Sequence, residues 1–248
     1  DMIIWYSKDN DKVKYRQLFK YREYREQDDY SPDPLKSAGN TSGENDIFEF
    51  EGEKYNSGRN EHWKTDEIGR ERLRKADRIV RQRSTIRYKR YYQDYPVKAI
   101  YNIWTDLGGA TNMVYVVQTS TRLIERLLLL ASDPGDLILD PTCGSGTTAY
   151  AAEQWGRRWI TIDTSRVALA LARSRLMGAK YPYYLLKDSK AGQKKEAELS
   201  GKAPSNKPTY GNIRHGFVYE RVPHITLKSI ANNTEIDEIW DKYQETME

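Results

Sequence analysis

Residues 137–165, LILDPTCGSGTTAYAAEQWGRRWITIDTS, decide how this chain is read. Leu137-Ile138-Leu139 is a short apolar run of the kind that forms a buried strand, residues 141–146 are a glycine-containing loop, 147–155 have helical character, and 158–162 (RWITI) form a second strand. Strand, loop, helix and strand at this spacing give a parallel pair joined by a helical crossover. The pattern extends both ways. Upstream, Thr121–Ser132 repeats apolar residues at 123, 124, 127, 128 and 130 and ends in the turn Asp133-Pro134-Gly135-Asp136; downstream, a helix over 165–177 and a strand over 183–187 are predicted. The fold class expected is α/β.

The loop carries chemistry. Gly144 and Gly146 let backbone approach a ligand that side chains would block, and the helix opening at Thr147 offers amide hydrogens to an anion or polar group. Asp163 ends the second strand, where a carboxylate accepts from both ribose hydroxyls of a nucleoside. An adenosine-containing cofactor is therefore expected, although a bare G-x-G also occurs in structural turns. Ala149 in the third glycine position is tolerated in dinucleotide folds, but Asp140 before the glycines would repel a pyrophosphate. The ammonium and sulfonium of S-adenosylmethionine suit that carboxylate, so this is the cofactor expected.

The 248 residues suffice for two modest domains, and 19 Tyr and 6 Trp supply apolar area to a chain that is 31% charged. No apolar run is long enough to cross a membrane and no secretory leader is visible, so the chain reads as soluble. The single cysteine, Cys143, excludes internal disulfides and a two-thiolate metal site; no metal is expected, and a reducing cytoplasm fits. The charge is uneven. Residues 59–98 hold thirteen Lys or Arg against six Asp or Glu in a chain whose net charge is only +4. Trp63, Tyr88, Tyr91, Tyr92 and Tyr95 interleave with these cations, as suits a phosphate backbone and displaced bases. The plainer alternative is a solvated helix face, because Glu67, Arg70, Glu71, Arg74 and Lys75 stand at i,i+3 and i,i+4 spacings.

Elsewhere, Ile3–Lys8 is predicted as a strand, 28–46 as loop, and 47–55 as a hairpin about Gly52. A helix from Asp66 to Ala76 capped by Thr65, a strand over 84–92, and irregular structure over 97–117 are expected next. Residues 190–208 read as a Lys, Gly, Ser and Pro-rich linker, 215–225 as a strand, and 234–245 as an acidic helix.

The stretch VVQTSTRLIERLLLLASDPGDLILDPTCGSGTTAYAAEQWGRRWITIDTSRVALALARSRL, residues 116–176, resembles the cofactor half of β-class N4/N6 amino-methyltransferases, the bacterial site-specific adenine methylases. The family's Asp-Pro-Phe-x-Gly-Ser-Gly loop is matched at 140–146 with Thr142 for Phe; its Gln-Lys-Pro element is replaced by Gln118-Thr119-Ser120. The resemblance implies a partial Rossmann-like sheet binding S-adenosylmethionine, with an inserted α+β target-recognition region. Cofactor contacts are then expected from Gln118, Ser120, Thr121, Asp140, Pro141, Thr142, Cys143, Gly144, Ser145, Gly146, Thr147, Asp163, Thr164 and Ser165. In the β class the order is catalytic half, recognition region, cofactor half. It assigns 1–20 to the end of the catalytic half, with Ile3–Lys8 as its closing strand, 21–117 to DNA recognition, 118–189 to the cofactor half, 190–208 to a linker, and 209–248 to an extension of unassigned role. Trp104 with Asp106 resembles a further family element, for which packing is the reading preferred.

Double-stranded DNA is the partner implied, with a restriction subunit or a second copy of the chain as further candidates. Arg59, His62, Trp63, Lys64, Arg87 and Arg90 are expected to contact it, a plain packed or surface histidine remaining the other reading of His62. The family's catalytic tetrapeptide, Asp/Asn/Ser-Pro-Pro-Tyr/Phe/Trp, is absent: Asp33-Pro34, Asp133-Pro134 and Asp140-Pro141 lack the second proline, and Tyr181-Pro182-Tyr183 lacks the acid. It is expected upstream of Asp1, which makes this chain a fragment, inactive alone, with no catalytic residue of its own. A thiolate mechanism at cytosine C5 is disfavoured because Cys143 lies inside the cofactor loop. Other readings are a catalytically dead DNA-binding remnant, a cytosine-N4 enzyme, an RNA or protein methyltransferase and, last, a nicotinamide oxidoreductase.

Overall fold

A computed structural model describes residues 2–23, 29–39, 46–110, 113 and 115–244. Asp1, residues 28 and 40–45 of the loop predicted over 28–46, and the end of the acidic helix predicted at 245 lie outside the described residues. Within the described part of that loop, residues 30–34 and 36–38 are strands, because they pair with 87–91 and 61–63, partners distant in sequence. The chain is mixed α/β and divides into two compact units, 1–20 with 98–221, and 21–97 with 222–248.

The strands β1 (Phe19–Tyr21) and β9 (Val97–Ala99) pair where the chain passes between the units. Within the second unit come β2 (Tyr30–Pro34), β3 (Lys36–Ala38), β4 (Ile47–Phe50), β5 (Glu53–Asn56), β6 (Glu61–Trp63), α1 (Glu67–Lys75), β7 (Ile79–Gln82) and β8 (Thr85–Tyr91). β4 and β5 form the predicted hairpin; its turn, Glu51-Gly52, has positive φ at both residues (52° and 77°), the twist that two-residue hairpins prefer. The sheet β2-β8-β7 is antiparallel throughout. Alternation along β8 turns Ile86 and Tyr88 into a core with Leu35, Phe48, Tyr55, Trp63, Leu73 and Ile79. Each such side chain contributes roughly 1.5–3 kcal/mol by leaving water.

Asp66, not Thr65, caps α1: its carboxylate accepts the Gly69 amide at 2.9 Å, and a negative charge is favoured at a helix start. Gly69 leaves room for Thr65, whose Oγ1 would lie 2.0 Å from a Cβ there. The C-terminal segment returns to this unit. α6 (Leu227–Ala231) and α7 (Glu235–Gln244) pack on α1, and Ile230 joins the core.

The first unit holds α2 (Thr121–Ala131), β10 (Leu137–Asp140), α3 (Thr147–Gln154), β11 (Arg158–Thr161), α4 (Arg166–Gly178) and α5 (Lys190–Ser200). β10 and β11 pair in parallel, Leu137 opposite Arg158 and Asp140 opposite Thr161, with α3 as the connection. One face of the pair is covered: Ile138 and Trp159 pack on Leu128, Ala151 and Ala152 of α2 and α3. The other face is open. Leu137, Leu139, Ile160 and Ile162 are 52%, 62%, 50% and 53% exposed, so β10 is not the buried strand its composition predicts.

Five further expectations differ from the structure. Residues 3–8 form no strand; Ile3, Ile4 and Tyr6 are exposed and no ladder pairs them among the described residues. Residues 183–187 and 215–225 are not strands either. A single bridge joins Leu186 to Phe217, and aromatic packing of Tyr184 between Trp155 (5.8 Å) and Phe217 (5.5 Å) holds the segment instead of a ladder. The linker 190–208 begins as a helix, α5, because Lys, Ala and Glu are good helix formers, Ser189 caps its start and Gly201 in the left-handed region (φ 64°) ends it. The irregular structure expected over 97–117 begins with β9.

Candidate functional site

The loop after β10 is built by backbone hydrogen bonds. The Cys143 amide donates to the Ile162 carbonyl at 2.8 Å, and the Gly146 amide to the Cys143 carbonyl at 2.9 Å. Gly144 and Gly146 both have positive φ (52° and 74°), and a Cβ on Gly146 would stand 2.8 Å from that of Ala172, so α4 approaches only because residue 146 is glycine. Against Gly144 lies the ring of Tyr115, 3.7 Å from where a Cβ would be, with the Val117 carbonyl at 3.8 Å.

Asp163 lies beside this loop. Its Oδ1 accepts the Ser165 amide and its Oδ2 the Gly144 amide, both at 2.8 Å. These two donors hold its carboxyl below the ordinary value, the Ser165 amide contributing most, so it stays an ionised acceptor. Asp140 Oδ1 accepts the Thr142 amide at 2.9 Å. Pro141, Thr142 and Thr164 are exposed, while Gln118 and Ser120 are half-buried.

The side chains of Cys143, Ser145 and Thr147 are buried, so at these positions the backbone is what a ligand can meet. The buried hydroxyls answer instead to a residue that the sequence reading missed. Arg175 donates through Nη1 to Thr147 Oγ1 (3.0 Å) and to Ser145 Oγ (3.3 Å), and through Nη2 to Thr121 Oγ1 (3.1 Å). Its guanidinium lies 4.8 Å from the Tyr150 ring. One side chain thus gathers the start of α2, the loop and the start of α3. The available signal was spacing, for Ala168, Ala172 and Arg175 fall at i, i+4 and i+7 on α4.

The arrangement fits a nucleoside bearing an amino acid. Neither α2, with Ser120 at its N-cap, nor α3, with Gly146, has a side-chain cap, whereas α1, α4, α5 and α6 all do. Two helix starts with amides open to a ligand, flanked by the carboxylates of Asp140 and Asp163, match a cofactor that carries hydroxyls, a carboxylate and cationic groups.

The six candidate DNA contacts lie in the second unit at two places in the chain: Arg59, His62, Trp63 and Lys64 on and around β6, and Arg87 and Arg90 on β8. Trp63 is a core residue, 6% exposed, with Nε1 donating to the Asp46 carbonyl at 2.9 Å; its role is packing, not DNA contact. His62 is half-buried with Nδ1 3.0 Å from the Gly39 carbonyl. Arg87 and Arg90 stand three residues apart on β8 and point to opposite faces, and Arg90 pairs with Asp33. Of the thirteen cations between 59 and 98, at least eight are engaged in ion pairs, among them Arg70 with Asp46 and Arg78 with the buried Asp94. Arg59, Lys64 and Arg87 have no ion pair among the described residues, and the first two are exposed. Asp106 in the first unit is held well below the carboxylate range by the Arg126 fork, which also lies 5.0 Å from the Trp104 ring; that pair is structural.

Among the described residues, no helix is long and apolar enough to cross a membrane, and no group of three or more His, Cys, Asp or Glu is placed to hold a metal ion. The chain is 34% identical over 114 residues to the type II methyltransferase M2.DpnII of Streptococcus pneumoniae, covering 41% of this chain and 42% of that one. It is 31% identical over 120 residues to the type II methyltransferase M2.LlaDCHI of Lactococcus lactis subsp. cremoris, covering 43% and 44%. The matched regions span less than half the length of these curated relatives. Among solved structures, the M1.HpyAVI-SAM complex aligns at 27% identity and a TM-score of 0.29 over 37% of this chain and 47% of that one. A profile of the N6/N4 DNA methylases matches residues 1–174, well over half of the sequence, and the chain therefore belongs to that family of DNA methylases.

Proposed function

We propose that this chain provides the cofactor-binding and DNA-binding parts of a site-specific DNA amino-methyltransferase, with S-adenosylmethionine at the 140–147 loop and adenine N6 as the methylated position. The observation that carries the reading is the pair of uncapped helix starts beside Asp163, tied together by Arg175. When bound, S-adenosylmethionine supplies a methyl group made electrophilic by its sulfonium. The chain's residues bind and orient: Asp163 accepts from the ribose hydroxyls, Asp140 faces the cationic amino-acid part, and the amides opening α2 and α3 take polar and anionic groups. Arg59 and Lys64 contact DNA phosphates, and Arg87 lies nearer the bases.

Flipping of the target base and proton loss from its amino group require the catalytic tetrapeptide, which a polypeptide segment outside residues 1–248 supplies. The open face of Leu137, Leu139, Ile160 and Ile162 supports that reading, since parallel strands are ordinarily covered on both faces. The test is calorimetry of the chain with S-adenosylmethionine alongside a methyl-transfer assay on duplex DNA. Weak cofactor binding without transfer is expected. No cofactor binding removes the cofactor assignment, and measurable transfer removes the assignment of catalysis to another segment.

A further inference from the structure

Residues 187–221 of the first unit line an open concavity of about 590 Å³ to which the glycine loop contributes no lining residue. One wall is α5, through Gln193, Glu196 and Ser200, and the other is the segment 202–208 that follows it. Hydrogen bonds set its shape. The Lys202 amide donates to the Ala197 carbonyl at 3.2 Å, Gln193 Nε2 to the Lys207 carbonyl at 3.1 Å, and the Lys207 amide to Ser205 Oγ at 3.3 Å. Opposite them Asp188, 6% exposed, accepts the amides of Asn212 (2.8 Å) and Tyr210 (3.2 Å).

The charges in the lining do not balance. Asp188 is used by backbone amides, and Glu196 by Arg221 and, at 3.9 Å, by Lys187. Lys202 and Lys207 have no ion pair among the described residues, and the Ser205 hydroxyl lines the same wall. Two lysines without an ion pair and a serine lining one concave wall suit a compact anion with several oxygens. We propose that this concavity is a phosphate site, separate from the glycine loop, in which Lys202 and Lys207 hold a phosphodiester of the DNA backbone or the phosphate of a small molecule.

The test uses the full chain and the Lys202→Gln/Lys207→Gln double variant, whose exposed positions leave folding intact. Binding of a random-sequence duplex is followed across a salt titration, and binding of inorganic pyrophosphate by calorimetry. A slope of log affinity against log salt that is shallower by about 2 in the variant assigns the site to the DNA backbone. Pyrophosphate affinity reduced about tenfold or more, with the duplex slope unchanged, assigns it to a free phosphate compound. If neither changes, the proposal is overturned. S-adenosylmethionine binding is measured on the same samples, and its failure bears on the cofactor reading alone.

Discussion

Arg175 donates to the hydroxyl of Thr147 across 3.0 Å and so pins the first turn of α3 to α4. Removing it leaves the hydroxyls of Ser145 and Thr147 buried without this donor, at about 1–3 kcal/mol. Arg175→Gln is expected to lower S-adenosylmethionine affinity about tenfold while the chain stays folded, and Arg175→Lys to recover only part of it, because an ammonium cannot reproduce the fork. Calorimetry and thermal melting on both variants provide the check. A fall in melting temperature with cofactor affinity intact would show that Arg175 serves only packing.

Asp163 predicts a pH window. Its folded carboxyl is held below the ordinary value by the amides of Ser165 and Gly144. Its contribution to loop order is therefore complete above the unfolded value of about 3.9, and it disappears as pH falls through the lower folded value. Hydrogen exchange should find the Gly144 amide protected at neutral pH and through the ordinary carboxylate range, losing protection only as pH falls through that lower folded value. In Asp163→Asn protection should be weak at every pH. Equal protection in both proteins would remove Asp163 from the loop's support.

The parallel pair, its connecting helix and the glycine loop were legible because each element is specified locally: apolar runs at 137–139 and 158–162, glycines where φ is positive, and a turn at 133–136. What the sequence did not reveal was set by contacts between distant segments. Trp63 looks like a DNA-stacking aromatic beside Arg59 and Lys64 until Phe48, on a different strand, and Arg70, on the following helix, are seen around it. Arg175 is one arginine among several on α4 until Thr121 and Thr147 are brought to it. The return of residues 222–244 to α1 leaves no trace in the periodicity of either segment. Nor did composition separate α5 from a linker, since lysine serves both a solvated helix and a coil.

The correction at Trp63 divides the expected DNA contacts into two kinds. Trp63→Ala should cost about 3–5 kcal/mol in urea unfolding, as a large buried side chain, and weaken DNA binding only through instability. Arg59→Gln and Lys64→Gln should change stability by no more than about 0.5 kcal/mol, and each should make the salt dependence of duplex binding shallower by about 1. Full duplex affinity in the double Arg59→Gln/Lys64→Gln variant would place the DNA surface elsewhere.

Asp237 carries the opposite prediction. On α7 it accepts from Arg72 Nε and Lys75 Nζ of α1, each at 2.8 Å, while Arg74 lies 5.8 Å from the Trp240 ring. The Lys75 ammonium first and the Arg72 guanidinium second hold its carboxyl below the ordinary range, so both pairs persist through the ordinary carboxylate range and are lost only as pH falls through the lower folded value. The acidic helix therefore neutralises the part of the basic run that lies on α1, and those cations are unavailable to phosphate while it is docked. Asp237→Asn removes the charge with little change in shape, and Ile230 keeps the segment anchored in the core. Arg72 and Lys75 are then free to attract DNA, and random-duplex affinity should rise, with a salt dependence steeper by up to about 2. An unchanged salt dependence would mean that α1 faces away from DNA whatever its charge, and the nucleic-acid surface would rest on residues 59–64 around β6 and on β8 alone.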